Sequence, residues 1–253
     1  MSKFRSNGKD QAKFDDWFRS PALDKLEELT FDDGHMWSLP TFALRIAPTL
    51  RIAKRFMDLS VVYTNNPVWV EHSIHIMELL LAEEKYKVVG FNLEYTHTCA
   101  GSRPKVAVAQ MCVCHHVVVY HYCLATRPCE RFSRFVNSPH YMFATVDTTS
   151  DVKALENTGI ACQNLVDLQG QYKIWGSKEH EKDSLVHLAE AIIDPYYRDM
   201  NDLCNKDKHA WYSACMEKLD KAHVVYAAKE AYRSYDMYRR IVDMRKCLLP
   251  QNG

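Results

Sequence analysis

In the run Val88-Val89-Gly90-Phe91-Asn92-Leu93-Glu94, two polar side chains stand two residues apart among apolar neighbours. Alternate side chains of an extended chain share a face, so Val88, Gly90, Asn92 and Glu94 fall on one side and Val89, Phe91 and Leu93 on the other. Such a strand can present ligands from one end; read locally, it also fits the half-exposed end of an ordinary strand. A second acid, Asp151, opens a helix in Thr148-Thr149-Ser150-Asp151. With Thr148 as N-cap it falls at N3, where it completes a capping-box-like pair and complements the helix dipole. Toward the C-terminus, the spacing of Tyr226 and Glu230 puts a phenol and a carboxylate one turn apart on one helix face. Val224, Ala228, Ala231, Tyr235, Tyr238 and Val242 form a separate apolar stripe almost opposite them. The helix is expected to pack by that stripe and to offer Tyr226, Glu230 and Arg233 from its other side, where the local alternative is a solvated polar face.

The elements that must position these groups follow from periodicity and breakers. Ser60–Tyr63 reads as a short strand ended by Asn65-Asn66-Pro67, and Val68–Ala82 has helical length and period. Lys87–Tyr95 is a strand by its β-branched content, and Lys105–Val113 with His116–Tyr122 forms an apolar hairpin. Cys129–Val136 is a short helix, Tyr141–Val146 a strand, and Ser150–Asn157 a helix closed by Gly159. Asp183–Ile193 is a helix stopped by Pro195, 196–217 carries no clear pattern, and a long helix runs from about Leu219 to Lys246. Strands bunched first, with helices interleaved and then dominant, predict an α/β fold with a mixed sheet flanked by helices. Residues 1–57 are weakly patterned and read as an N-terminal extension, 58–246 as the domain, and 247–253 as a tail.

Composition narrows the class. With 253 residues, 47% hydrophobic and 25% charged, the chain suits one generous globular domain and not a disordered segment. The formal net charge is zero, so a nucleic-acid ligand would need a local basic patch and not a global field. No apolar run approaches the ~20 residues that span a bilayer, so no membrane association is expected. The polar start, Met1-Ser2-Lys3-Phe4-Arg5, lacks an apolar signal core, and nine cysteines are an odd number. They read as free thiols in a reducing compartment, cytoplasmic or nuclear. Cys112, Cys114, His115, His116, His121 and Cys123 could suggest zinc, but no Cys-x-x-Cys spacing occurs and core packing is the better reading.

The order of these segments resembles the RNase D-like and Werner-exonuclease-like 3′–5′ exonucleases of the DnaQ-like, DEDDy type. Val88–Tyr95 is similar to the first exonuclease motif, a strand ending in Asp-x-Glu, and Val106–Val113 to the strand after it, with its Gln110. Phe143–Leu155 resembles the second motif, whose helix begins with the third acid, here Asp151. Asn164-Leu165-Val166-Asp167-Leu168, Ser184–Ala189 and Val225–Tyr232 resemble a later strand, a leucine-rich helix and the Tyr-x-x-x-Asp motif. The match covers 58–246 and is most similar in wording to the compact plant members.

The resemblance implies an RNase H-like fold and a site at which carboxylates hold two Mg²⁺ or Mn²⁺ ions for hydrolysis of the last phosphodiester of single-stranded RNA or DNA, RNA favoured. Carried over, Asn92 takes the metal-bridging position, Glu94 binds the first metal, Asp151 the second, Glu230 completes the first, and Tyr226 orients the attacking water. Arg233, one turn beyond Glu230, is assigned to the scissile or adjacent phosphate from helix position alone. Two departures stand out. The family has Asp where this chain has Asn92 and where it has Glu230. Asn removes a charge between two dications and is a poor ligand for hard cations beside carboxylate, whereas Glu keeps the charge one methylene further out. An altered, impaired exonuclease is therefore expected; the alternative is an inactive descendant that binds nucleic acid, a protein partner or a second copy.

Overall fold

The computed structural model describes residues 43–46, 59–96, 103–174, 183–193, 197, 218–219 and 221–248. All belong to the unit Ser38–Gly253. Most of the expected N-terminal extension, nearly all of 196–217 and the tail beyond Leu248 lie outside the described residues.

Seven described strands form one sheet: β1 (Ala43–Ile46), β2 (Ser60–Thr64), β3 (Val88–Thr96), β4 (Lys105–Val113), β5 (His116–Tyr120), β6 (Met142–Thr145) and β7 (Leu165–Asp167). Their order is β1-β2-β5-β4-β3-β6-β7. The β3-β4-β5 meander and the β1–β2 pair are antiparallel, whereas β2–β5, β3–β6 and β6–β7 are parallel. The sheet is therefore mixed, as expected. One strand, β1, comes from the stretch read as an extension.

The described helices are α1 (Pro67–Glu83), α2 (Glu130–Val136), α3 (Thr148–Thr158), the single turn α4 (Leu168–Gln171), α5 (Leu185–Ile192) and α6 (Lys221–Leu248). At the start of α1, Asn66 Oδ1 accepts from Val68 N at 3.0 Å and Pro67 takes a position whose N–H would have no partner. Its expected apolar positions, Val70, Ile74, Met77 and Leu81, are all buried. Gly159 closes α3 in the left-handed region at φ 79°, a conformation that costs glycine little.

The alternation of β3 divides the packing between two faces. On the face of Val89, Phe91 and Leu93, Phe91 meets Phe143 of β6 at 5.5 Å between ring centres, and Phe143 meets Phe135 of α2 at 5.6 Å. Tyr120 of β5 meets Phe132 of α2 at 5.3 Å. Burial of each such ring contributes roughly 1.5–3 kcal/mol. The opposite face, that of Gly90, Asn92 and Glu94, is covered by α6. A Cβ on Gly90 would lie 2.0 Å from the Ala231 carbonyl oxygen and 2.6 Å from the Tyr235 backbone nitrogen. Glycine is what lets the backbone of α6 lie directly on β3.

Candidate active site

The seating of α6 on Gly90 brings the tyrosine and carboxylate of that helix over the polar end of β3. Glu94, Tyr226 and Glu230 lie close enough together to shift one another's pKa values. Asp151 lies near enough to raise the pKa of Glu94 further. Asn92 Oδ1 lies 3.3 Å from the Ser234 hydroxyl of α6 and 3.1 Å from the Thr145 hydroxyl, which also donates to Asp151 Oδ2 at 2.7 Å. Asn92, Glu94, Asp151, Tyr226 and Glu230, which come from three separate stretches of sequence, thus meet at one place. Glu94, Tyr226 and Glu230 reach solvent in part, whereas Asn92 and Asp151 are buried beneath them.

Electrostatics follow from this crowding. Burial, and then the neighbouring Glu230 charge, push the Glu94 carboxyl well above the usual carboxylate range. The buried Gln110 amide on β4 opposes that rise, although neither of its polar atoms makes a well-formed hydrogen bond among the described residues. Burial also raises Glu230, while Arg233 and the hydroxyl of Tyr226 pull it back. Asp151 is pushed up to about 7 by burial, against the hydrogen bonds from Tyr95 and Thr145.

Asp151 also departs from the local reading of its helix. The N-cap of α3 is Asp147, in the left-handed region at φ 65°, and not Thr148. Asp151 therefore forms no capping box: both its oxygens accept from side chains, Oδ1 from the Tyr95 hydroxyl and Oδ2 from Thr145. Tyr95 follows a register shift in the β3–β4 ladder, where Ala107 of β4 is left unpaired between Glu94 and Tyr95. Tyr95, Thr145 and Ser234 are the site residues that pattern reasoning missed; their adjacency to Glu94, to the β6 end and to Arg233 was the only signal.

Arg233 is not on a solvated face. Its side chain is 0% exposed, with a terminal nitrogen 3.7 Å from Glu230 Oε1 and the guanidinium carbon 5.9 Å and 5.7 Å from the ring centres of Tyr226 and Tyr197. Arg233 is enclosed, with the Tyr197 ring against it, so it faces Glu230 from within and not a phosphate in solvent. The cysteine and histidine run is core and turn: Cys112 is buried and Cys114, in the β4–β5 turn at φ 54°, has its thiol pushed up to about 12 by burial. Among the described residues Cys112, Cys114, Cys123, Cys129, Cys162 and Cys247 are free thiols. No described helix is long and apolar enough to cross a membrane.

No family model matches this sequence, and no curated protein does. Solved structures do match in fold. The exonuclease domain of Aedes aegypti Nibbler superposes with a TM-score of 0.52 at 14% identity, covering 74% of this chain and 89% of that one. A Trypanosoma brucei RNase D in complex with RNA U12 gives 0.51 at 14%, covering 68% and 61%. Escherichia coli RNase D, an exoribonuclease involved in structured RNA processing, gives 0.51 at 13%, covering 69% and 43%. The chain thus spans less than two thirds of either RNase D chain. Mixed sheet, flanking helices and superposition together establish that the chain has the RNase H-like, DnaQ-type fold of the 3′–5′ exonuclease domains.

Proposed function

We propose that this chain takes the 3′ end of a single-stranded nucleic acid, RNA before DNA, in the cleft formed by β3, α3 and α6, and that hydrolysis there is crippled at the bridging position. The observation that supports this most is the placement of Asn92. It stands among three acids, linked through Thr145 to Asp151 and through Ser234 to α6, where the exonuclease fold calls for a carboxylate shared by two ions. The RNA-bound state of a structural neighbour supports the choice of ligand. The cytoplasm or nucleus is the compartment we assign, consistent with the free thiols.

The donor set does not fit a pair of divalent ions. Among the described residues no three His, Cys, Asp or Glu side chains are grouped to hold a metal. Both Asp151 oxygens and the Asn92 oxygen are engaged by protein hydroxyls, and the Arg233 guanidinium lies 3.7 Å from Glu230 Oε1. A Mg²⁺ or Mn²⁺ ion would have to displace these donors, and Mg²⁺ also sheds its own waters reluctantly. These contacts favour a second reading, in which the fold is kept as a binding module for nucleic acid or for a protein partner, another copy included.

The test is fluorescence polarisation of labelled single-stranded RNA and DNA, with 3′-hydroxyl and 3′-blocked ends, in EDTA and in Mn²⁺. We expect saturable binding that prefers RNA with a free 3′ end, with the oligonucleotide recovered largely intact. Absence of binding to every oligonucleotide would sink the reading and leave the protein-partner alternative.

A further inference from the structure

We infer that the Arg233 guanidinium is a tethered cation that occupies the electrostatic role of a divalent ion at the Glu94–Glu230 pair and keeps such ions out of it. The inference rests on the reading of that pair as the place where an exonuclease of this fold would hold metal. Its basis is the placement of the side chain. A guanidinium is charged at every accessible pH and cannot escape burial by losing its proton. A fully buried cation is tolerated only beside compensating charge. For Arg233 that charge is the Glu230 carboxylate, 3.7 Å away.

The guanidinium is also held in place. Its Nε donates to the Lys229 carbonyl at 3.3 Å, and the rings of Tyr226 and Tyr197 lie within cation–π range. Among the described residues neither terminal nitrogen makes a hydrogen bond. Arg233 is therefore spared the usual full set of partners and placed for charge alone. A dication at the Glu94–Glu230 pair would meet this fixed positive charge at close range, where protein surroundings screen poorly. A cation fixed against one ligand weakens the site for a second positive charge.

The experiment is titration of the full chain with Mn²⁺ alone, bound ion counted by electron paramagnetic resonance and heat by calorimetry. Wild type, Arg233→Met and Arg233→Lys are compared, with melting curves to establish folding. Wild type is expected to show no saturable ion at this pair. Arg233→Met should bind one ion at least roughly tenfold more tightly than wild type, a change of about 1.4 kcal/mol, and lose it when Glu230→Gln is added. Arg233→Lys, which keeps the charge, should stay near wild type. Should Arg233→Met fail to fold, the wild-type titration still decides. Tight Mn²⁺ binding to wild type that Glu230→Gln abolishes would overturn the inference, as would equal gains in the Met and Lys variants. RNA polarisation in EDTA separates the two ideas: lost RNA binding sinks the proposed function and leaves this one, whereas tight metal binding by wild type does the reverse.

Discussion

Substituting Gly90 by alanine tests whether the candidate site is assembled by the seating of α6 on β3. The added Cβ would sit 2.0 Å from the Ala231 carbonyl oxygen, 2.6 Å from Tyr235 N and 2.8 Å from Tyr235 Cβ, where ordinary contact begins at 3.4 Å. The two nearest obstacles are backbone atoms of a continuous helix and cannot rotate away, so strand or helix must move as a body. Overpacking of this kind typically costs 1–3 kcal/mol, and a clash with backbone belongs at about 3 kcal/mol or beyond. For a chain of this size that corresponds to a fall of roughly 6–12 °C in melting temperature. Without the helix the same substitution would be neutral or slightly stabilising, because alanine is less flexible than glycine in a strand. Urea unfolding followed by far-UV circular dichroism, with the slope checked for constancy, reads the change. A loss below about 0.5 kcal/mol, the range of ordinary surface substitutions, would refute the argument that glycine is required for the approach of α6.

Other expectations concern the charges beneath the cleft. Asp151 has a folded pKa of about 7 against an ordinary 3.8. The native state therefore holds the extra proton between these values, and stability should be full below about pH 4 and fall as pH rises toward 7. The loss is at most on the order of 4 kcal/mol, and Asp151→Asn should flatten this slope in pH-dependent urea melts. Tyr95→Phe removes a hydroxyl that donates to Asp151 and should cost about 1–3 kcal/mol at pH 7, with a smaller loss at pH 4; an equal loss at both pH values would contradict the assignment. Asn92→Asp adds a fourth acid beside Glu94, Asp151 and Glu230, so it should melt below wild type in EDTA and be raised more than wild type by Mn²⁺. A melting temperature unchanged by either reagent would count against the crowding described above.

Much of this architecture is legible in the sequence, for physical reasons that can be named. The period-2 pattern of Val88–Glu94 fixes which side chains share a face, and Gly90, Asn92 and Glu94 do face the same helix. The i, i+4 spacing places Tyr226 and Glu230 together, close enough to shift each other's pKa. Gly159 ends α3 as expected. Local pattern fails where a second, distant surface intervenes. Helical periodicity alone put Arg233 on an open face of α6, because it cannot register the distant groups, Tyr197 among them, that enclose it. The capping reading of Asp151 fails for a similar reason: the donors that claim its oxygens, Tyr95 and Thr145, come from β3 and β6.

Restoring the charge at residue 92 shows whether its loss is what holds back an exonuclease-type site here. Wild type and Asn92→Asp should be incubated side by side with 5′-labelled single-stranded RNA in Mn²⁺, and stepwise shortening from the 3′ end followed on denaturing gels. Asn92→Asp is expected to gain at least roughly tenfold, equivalent to about 1.4 kcal/mol of transition-state stabilisation. Little or no shortening is expected from wild type. Equal rates for the two proteins, or no shortening by Asn92→Asp in either Mg²⁺ or Mn²⁺, would contradict that expectation.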